Sequence, residues 1–214
     1  YEMDNYLVGR AFEAKKELPL ILNENQGYIH YRKGSVVMYA LMDYIGEDAV
    51  NRALADFLEE SRYQGPPYPN SLALLRHLKA ATPDSLQYVI EDMFETITLY
   101  ENRAVAATAS EGDNGSYVVR LNVESAKFRA DSLGNETEVE ASDLIDIGVF
   151  AEDENGDEVT LYLAKHRIKS GEQEIVVRVS DRPLRGGIDP IYKLVDRHKD
   201  DNVVDVQLSG SPEG

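Results

Sequence analysis

The sequence predicts an α+β protein of two domains, a helical bundle followed by an antiparallel β-sandwich of the immunoglobulin-like kind. Three observations carry this. Up to about residue 100 the apolar residues recur at helical spacing. Beyond it they alternate with polar ones at a period of two. Clusters of Gly, Asn and Asp then cut the second half into seven or so short runs, the spacing of a sandwich.

The elements follow in order. The opening YEMDNYLVGR reads as the interior of a helix. Val36, Val37, Ala40, Leu41, Tyr44 and Ile45 line one face of the next helix. Gly46-Glu47-Asp48 breaks the chain and places acids at the positive end of the following helix dipole. That helix carries Val50, Ala53, Leu54, Phe57 and Leu58. Residues 63–69 (YQGPPYP) hold three prolines in seven positions and cannot be helical. Asn70 or Ser71 then caps a helix with Leu72, Leu75 and Leu78 on its apolar side. Thr82-Pro83-Asp84 is a helix start with proline at the first position, and Leu86, Val89, Ile90, Met93 and Phe94 supply the stripe that follows.

In the second half, Tyr117, Val119, Leu121 and Val123 alternate with polar or exposed partners. The same pattern returns at Ile145, Ile147 and Val149, at Val159, Leu161 and Leu163, and at Ile175, Val177 and Val179. Turns are expected at residues 112–115, 134–135, 155–156 and 170–171. The division expected is a helical part over residues 1–102, a β-domain over 103–208 whose first strand begins within 104–109, and a frayed tail over 209–214.

Charge and composition narrow the function. The 214 residues hold 22 Lys and Arg against 39 Asp and Glu, a net charge of −17. Such a balance repels phosphate backbones and anionic lipid, so no nucleic-acid partner is expected. The absence of cysteine removes disulfide and thiol chemistry. The most apolar stretch, residues 35–42, is far below the roughly 20 residues of a spanning helix. The first residue is Tyr rather than Met, and the sequence reads as a trimmed one whose anchor or targeting signal would lie elsewhere. His30, His77, His166 and His198 form no HExxH and no pair at i, i+3 or i, i+4, so no zinc site is expected within the chain. The acidic run 153–157 (DENGD) has its glycine fourth rather than sixth, which suits a hairpin turn better than a calcium loop.

The informative stretch is residues 23–45, NENQGYIHYRKGSVVMYALMDYI, followed by GEDAVNRALADFLEE. Tyr31-Arg32-Lys33-Gly34, the preceding Leu18-Pro19-Leu20 and the following Gly46-Glu47-Asp48 resemble the segment downstream of the zinc site in the aminopeptidase N family of zinc peptidases. YIHYRKGS, FETITLY and the GIDP of residues 187–190 are similar to bacterial membrane proteins in which an ABC-type permease region precedes such a peptidase domain.

The resemblance implies that the helical part is the C-terminal portion of a gluzincin catalytic domain. It implies that the wider protein is a membrane-associated bacterial zinc aminopeptidase that hydrolyses N-terminal peptide bonds. Its partners would be a peptide substrate and the upstream catalytic and membrane regions of the same polypeptide, with the membrane face left open. The cofactor would be zinc in that parent, held upstream by HExxH and a glutamate that this chain lacks, so the chain alone is expected to be inactive and zinc-free. Tyr31 takes the catalytic role by this resemblance. A phenol aimed at the scissile carbonyl donates a hydrogen bond as negative charge develops there, and it carries no charge of its own at neutral pH. Tyr28 is its rival but lacks the Lys-Gly that follows. Lys33 is expected to be structural and paired with a carboxylate, and Gly34 to permit close backbone packing. Among 13 tyrosines, the plain alternative for Tyr31 is packing. At the level of function, the alternative is a non-catalytic peptide-binding or scaffolding domain of an ABC-type transport complex. A free-standing adhesion module would leave the helical half unexplained.

Overall fold

The structure, a computed structural model, describes residues 1–209. The chain is a mixed α+β protein of two compact units. One unit comprises Tyr1–Thr98, Arg129–Thr137 and Lys193–Val195; the other comprises Leu99–Phe128, Glu138–Tyr192 and residues 196–209. The chain therefore passes between the units more often than a single boundary at 102/103 supposes. Of the expected tail, residues 210–214 lie outside the described residues, whereas the Ser209 N–H donates to the Ala109 carbonyl at 2.7 Å.

The helical unit opens with α1 (Glu2–Phe12), which buries Met3 and Tyr6. A six-residue π-helix, Tyr28–Lys33, runs directly into α2 (Gly34–Ile45), which buries Val37, Ala40 and Leu41. Gly46, at φ 90°, ends α2 and starts α3 (Glu47–Ser61), whose first turn carries Glu47 and Asp48 and whose buried residues are Val50 and Ala53. The proline-rich connection is non-helical. Asn70 then caps α4 (Ser71–Ala81): its side-chain oxygen accepts the Ala73 N–H at 3.2 Å, and Leu75 and Leu78 turn inward.

The helix expected after Thr82-Pro83-Asp84 comes in three pieces. A 3₁₀ turn (Asp84–Leu86), the short α5 (Gln87–Ile90) and a π-turn (Glu91–Glu95) follow one another, because Leu86 at φ −115°, ψ 7° leaves the helical region. The Thr82 hydroxyl does not cap this start; it donates back to the Leu78 carbonyl at 2.8 Å. The inserted segments bind through ions and backbone. Arg129 pairs with Asp92 at 2.5 Å, Lys193 with Asp43 at 2.5 Å, and the Glu17 N–H donates to the Ser132 carbonyl at 3.0 Å.

The strands are β1 (Ile97–Glu111), β2 (Tyr117–Ala130), β3 (Glu136–Val139), β4 (Ser142–Glu152), β5 (Glu158–Lys169), β6 (Gly171–Val179), β7 (Arg185–Ile188) and β8 (Val203–Leu208). They form a curled mixed sheet of order β3-β2-β1-β8-β7-β4-β5, with β6 added on β2. The first strand begins at Ile97, ahead of the expected 104–109. The pairs β2–β6, β4–β5, β4–β7 and β7–β8 are antiparallel, but β1–β8 is parallel, which corrects the all-antiparallel expectation. Strand β8 causes this. Its first residues, Val203 to Asp205, pair with β7, and its last, Val206 to Leu208, reach β1 running in the same direction.

Period-two alternation buries Val119, Leu121 and Val123 of β2 and Ile145, Ile147 and Val149 of β4. Residues 153–157 join β4 to β5 as a hairpin. The Asp153 carboxylate accepts the N–H groups of Asn155 and Asp157 at 2.8 and 3.0 Å, so its lone pairs serve the turn itself. In the GIDP stretch, Gly187 lies against the Asn202 backbone, and a Cβ there would meet the Asn202 carbonyl carbon at 2.8 Å and its oxygen closer still. Only glycine fits.

Candidate active site

The site is built on the π-helix Tyr28–Lys33. The Gly34 N–H donates to the Ile29 carbonyl five residues back, the widened turn that defines this helix and that recurs at functional sites. Widening separates the side chains by environment. Ile29 and Lys33 are buried, Tyr28 is half-buried, and Tyr31 is 72% exposed.

Tyr28 is held in place. Its ring stacks on Tyr6 at 5.9 Å between centroids, and its hydroxyl accepts from Gln26 Nε2 at 3.4 Å. The contact is tight because α1 presents no side chain at Gly9. A Cβ there would meet Tyr28 Cγ at 2.8 Å and its Cβ closer still. Burial, followed by the carboxylates of Glu17 and Glu13, pushes the Tyr28 phenol up to about 12.

Beneath it lies a buried polar cluster. Tyr6 donates its hydroxyl to Glu17 Oε1 at 2.5 Å, and Arg10 Nε donates to Glu17 Oε2 at 2.7 Å while its Nη1 reaches Glu136 at 3.1 Å. Burial, with Glu17 beside it, holds the Tyr6 phenol well above its ordinary value. Lys33, 1% exposed, enters the same space. The expected carboxylate pair is replaced by a carbonyl: Lys33 Nζ donates to Thr96 O at 3.5 Å and stands 5.5 Å from the Tyr6 ring centre. Burial brings the amine down to about 8, against the opposing pull of Glu17. The close-packing role expected of Gly34 belongs instead to Gly9, since a Cβ at Gly34 would make only ordinary contacts, at 3.7 Å to Ile29 O and 3.8 Å to Leu20.

Tyr31 has a different setting. Among the described residues its hydroxyl has no hydrogen-bond partner. Its ring leans on His30 at 4.4 Å, and the His30 Nδ1 is 3.0 Å from Asn23 Nδ2. Tyr31 stands at the rim of an apolar cavity of about 420 Å³, floored by Ile21, Met38, Leu75, Leu78 and Phe94. Exposed His30, Ser35 and Ser71 share the rim. Leu20, from the Leu-Pro-Leu element, lines the cavity, and Ser71 Oγ fastens the neighbouring turn by donating to the Ile21 carbonyl at 2.7 Å. On the other side Tyr31 borders a second cavity of about 530 Å³, with Asn5, Gly27 and Arg32. Arg32 is drawn off by Glu2, its Nη1 lying 2.8 and 3.0 Å from the two carboxylate oxygens. The site therefore offers one unengaged O–H donor between an apolar pocket and a more polar one.

No metal site accompanies it among the described residues, where no three His, Asp or Glu side chains cluster as ligands. His77 faces Glu60 at 2.9 Å and His166 faces the Tyr162 hydroxyl at 2.7 Å. The described residues thus do not fit a zinc ion, and no chemical step is routed through one here. No helix among the described residues is long and apolar enough to cross a membrane.

The sequence reading did not find the Tyr6–Glu17–Arg10 cluster, the His30 contact or the pocket. Their members lie up to 126 residues apart (Arg10 and Glu136), and no local spacing marks them. Gly9, one helical turn beyond Tyr6, was the only local hint. Searched against protein-family models and against curated proteins, the chain matches none.

Proposed function

We propose that this chain is the C-terminal part of a membrane-associated zinc aminopeptidase of the aminopeptidase N type, with its helices completing the catalytic domain and its β-domain an immunoglobulin-like sandwich. Zinc ligands, permease region and substrate amino-terminus recognition would come from elsewhere in the same polypeptide. Tyr31 donates its phenol hydrogen to the carbonyl oxygen of the scissile peptide bond as negative charge accumulates there.

The observation that carries this reading is the contrast between two neighbouring tyrosines. Tyr28 is stacked and hydrogen-bonded, whereas Tyr31 keeps its hydroxyl unengaged at a cavity mouth. A donor spent on the protein could not strengthen its bond as the transition state forms; an unspent one can. The motif Tyr31-Arg32-Lys33-Gly34 supplies the chemical assignment by resemblance.

The test is hydrolysis of aminoacyl reporter substrates by the full-length polypeptide and its Tyr31→Phe variant. Activity that falls about a hundredfold on Tyr31→Phe, with the fold retained, supports the proposal. A full-length protein without hydrolytic activity that still binds peptides would favour the non-catalytic peptide-binding alternative.

A further inference from the structure

The apolar cavity beside Tyr31 is more than a gap in the packing. Its floor carries no charged side chain, and Leu75 and Leu78 meet Met38 and Phe94 across it. At about 420 Å³ it falls within the roughly 300–1,000 Å³ of small-ligand sites. A charged group entering it would lose its hydration without meeting a counter-ion, whereas an aliphatic or aromatic group gains in proportion to the area it buries.

We propose that this cavity is a specificity pocket for one large apolar side chain, of leucine, methionine or phenylalanine size, at a peptide's free amino end. The inference rests on the reading of Tyr31 given above and adds the substrate class to it. Two features select this occupant. The pocket mouth is bordered by the one unengaged hydroxyl of the site, so a side chain seated on Leu75 and Leu78 brings its own backbone carbonyl toward Tyr31. The protein's net charge of −17 draws in a cationic ammonium and repels acidic peptides. Glycine would leave the floor wet, and glutamate would bury a carboxylate against leucine and face the repulsion as well. Met38 is the adjustable wall, because its unbranched side chain can shift to fit either a branched or a flat group.

The experiment is a methyl-detected NMR titration of the 214-residue chain with leucinamide, phenylalaninamide, glycinamide and glutamic acid α-amide. Leucinamide and phenylalaninamide are expected to give saturable shifts at the methyls of Met38, Leu75 and Leu78, at least tenfold tighter than glycinamide, with no saturation by the glutamate amide. A Met38→Trp chain, checked by circular dichroism, is expected to lose at least tenfold in leucinamide affinity. No saturable shifts with the wild-type chain, or equal affinities across the four amides, overturn the pocket assignment. Reporter hydrolysis by the full-length polypeptide separates the two claims. Pocket binding without hydrolysis overturns the catalytic reading and supports the pocket, and hydrolysis that ignores the apolar side chain overturns the pocket alone.

Discussion

Tyr28 and Tyr31 differ by three positions, and a π-turn gives them opposite fates. In sequence they are two tyrosines in one aromatic run, and the motif around the second is all that separates them. The structure adds a physical difference, since one ring is locked on Tyr6 and the other faces a cavity. Gly9 is the residue that permits the lock. Gly9→Ala is expected to cost about 1–3 kcal/mol by overpacking against Tyr28, whereas Gly34→Ala should be neutral or stabilising by about 0.5–1 kcal/mol. Urea unfolding of the two variants measures both. The buried cluster predicts a pH dependence of stability. Folded Lys33 titrates near 8 against an ordinary 10.5, so between those values the unfolded chain binds a proton that the folded chain does not. Stability therefore rises with pH across that window. Tyr6 and Tyr28 act in the other sense, because their raised phenols keep protons that the unfolded chain releases above about pH 10. Unfolding free energies should increase from pH 7 to 9.5 and decline beyond. The rise should be smaller in Lys33→Met, for which Glu17, Arg10, Tyr6 and Tyr28 are the surrounding groups. An unchanged rise in that variant would remove Lys33 as its source.

At the scale of elements, periodicity located most of what is there and missed what depends on distant partners. The stripes of α2, α3 and α4 were legible in Val37, Ala40 and Leu41, in Val50 and Ala53, and in Leu75 and Leu78. Their ends were not: Leu58 and Leu72, expected to be buried, are 63% and 57% exposed, because a stripe tells which side faces inward but not how far the covering element extends. Strand β5 shows the same limit. It ends the sheet's path, its register on β4 shifts between Val149 and Phe150, and Leu163 of the expected inward row is exposed. The parallel pairing of β8 with β1 joins Val206 to Ala107 across about a hundred residues, and local alternation carries no information on that. Within the sheet, Lys127 and Tyr100 both donate to Asp143 Oδ2 at 3.0 Å with all three side chains buried. Lys127→Met leaves that carboxylate without its cation and should destabilise the protein by about 3–5 kcal/mol in thermal or urea unfolding. A loss below about 1 kcal/mol would mean that Asp143 is neutralised or solvated in the variant.

For the whole molecule, the helical-then-β order was legible from the change of period near residue 100, and the strong acidity from composition. The return of Arg129–Thr137 and Lys193–Val195 to the helical unit was not, because it is fixed by single ion pairs such as Arg129 with Asp92 and Lys193 with Asp43. The functional reading joins a motif legible in sequence to a cavity legible only in three dimensions, and both meet at one hydroxyl. Its most direct test compares kcat and KM of the full-length polypeptide with those of Tyr31→Phe and Tyr28→Phe. Each substitution removes a single hydroxyl and keeps the ring. The account predicts that Tyr31→Phe lowers kcat by about a hundredfold with KM little changed, because the bond gains strength only as charge develops, and that Tyr28→Phe stays within a few-fold of the parent. Equal losses from both variants, or an undiminished kcat in an active Tyr31→Phe protein, would contradict it.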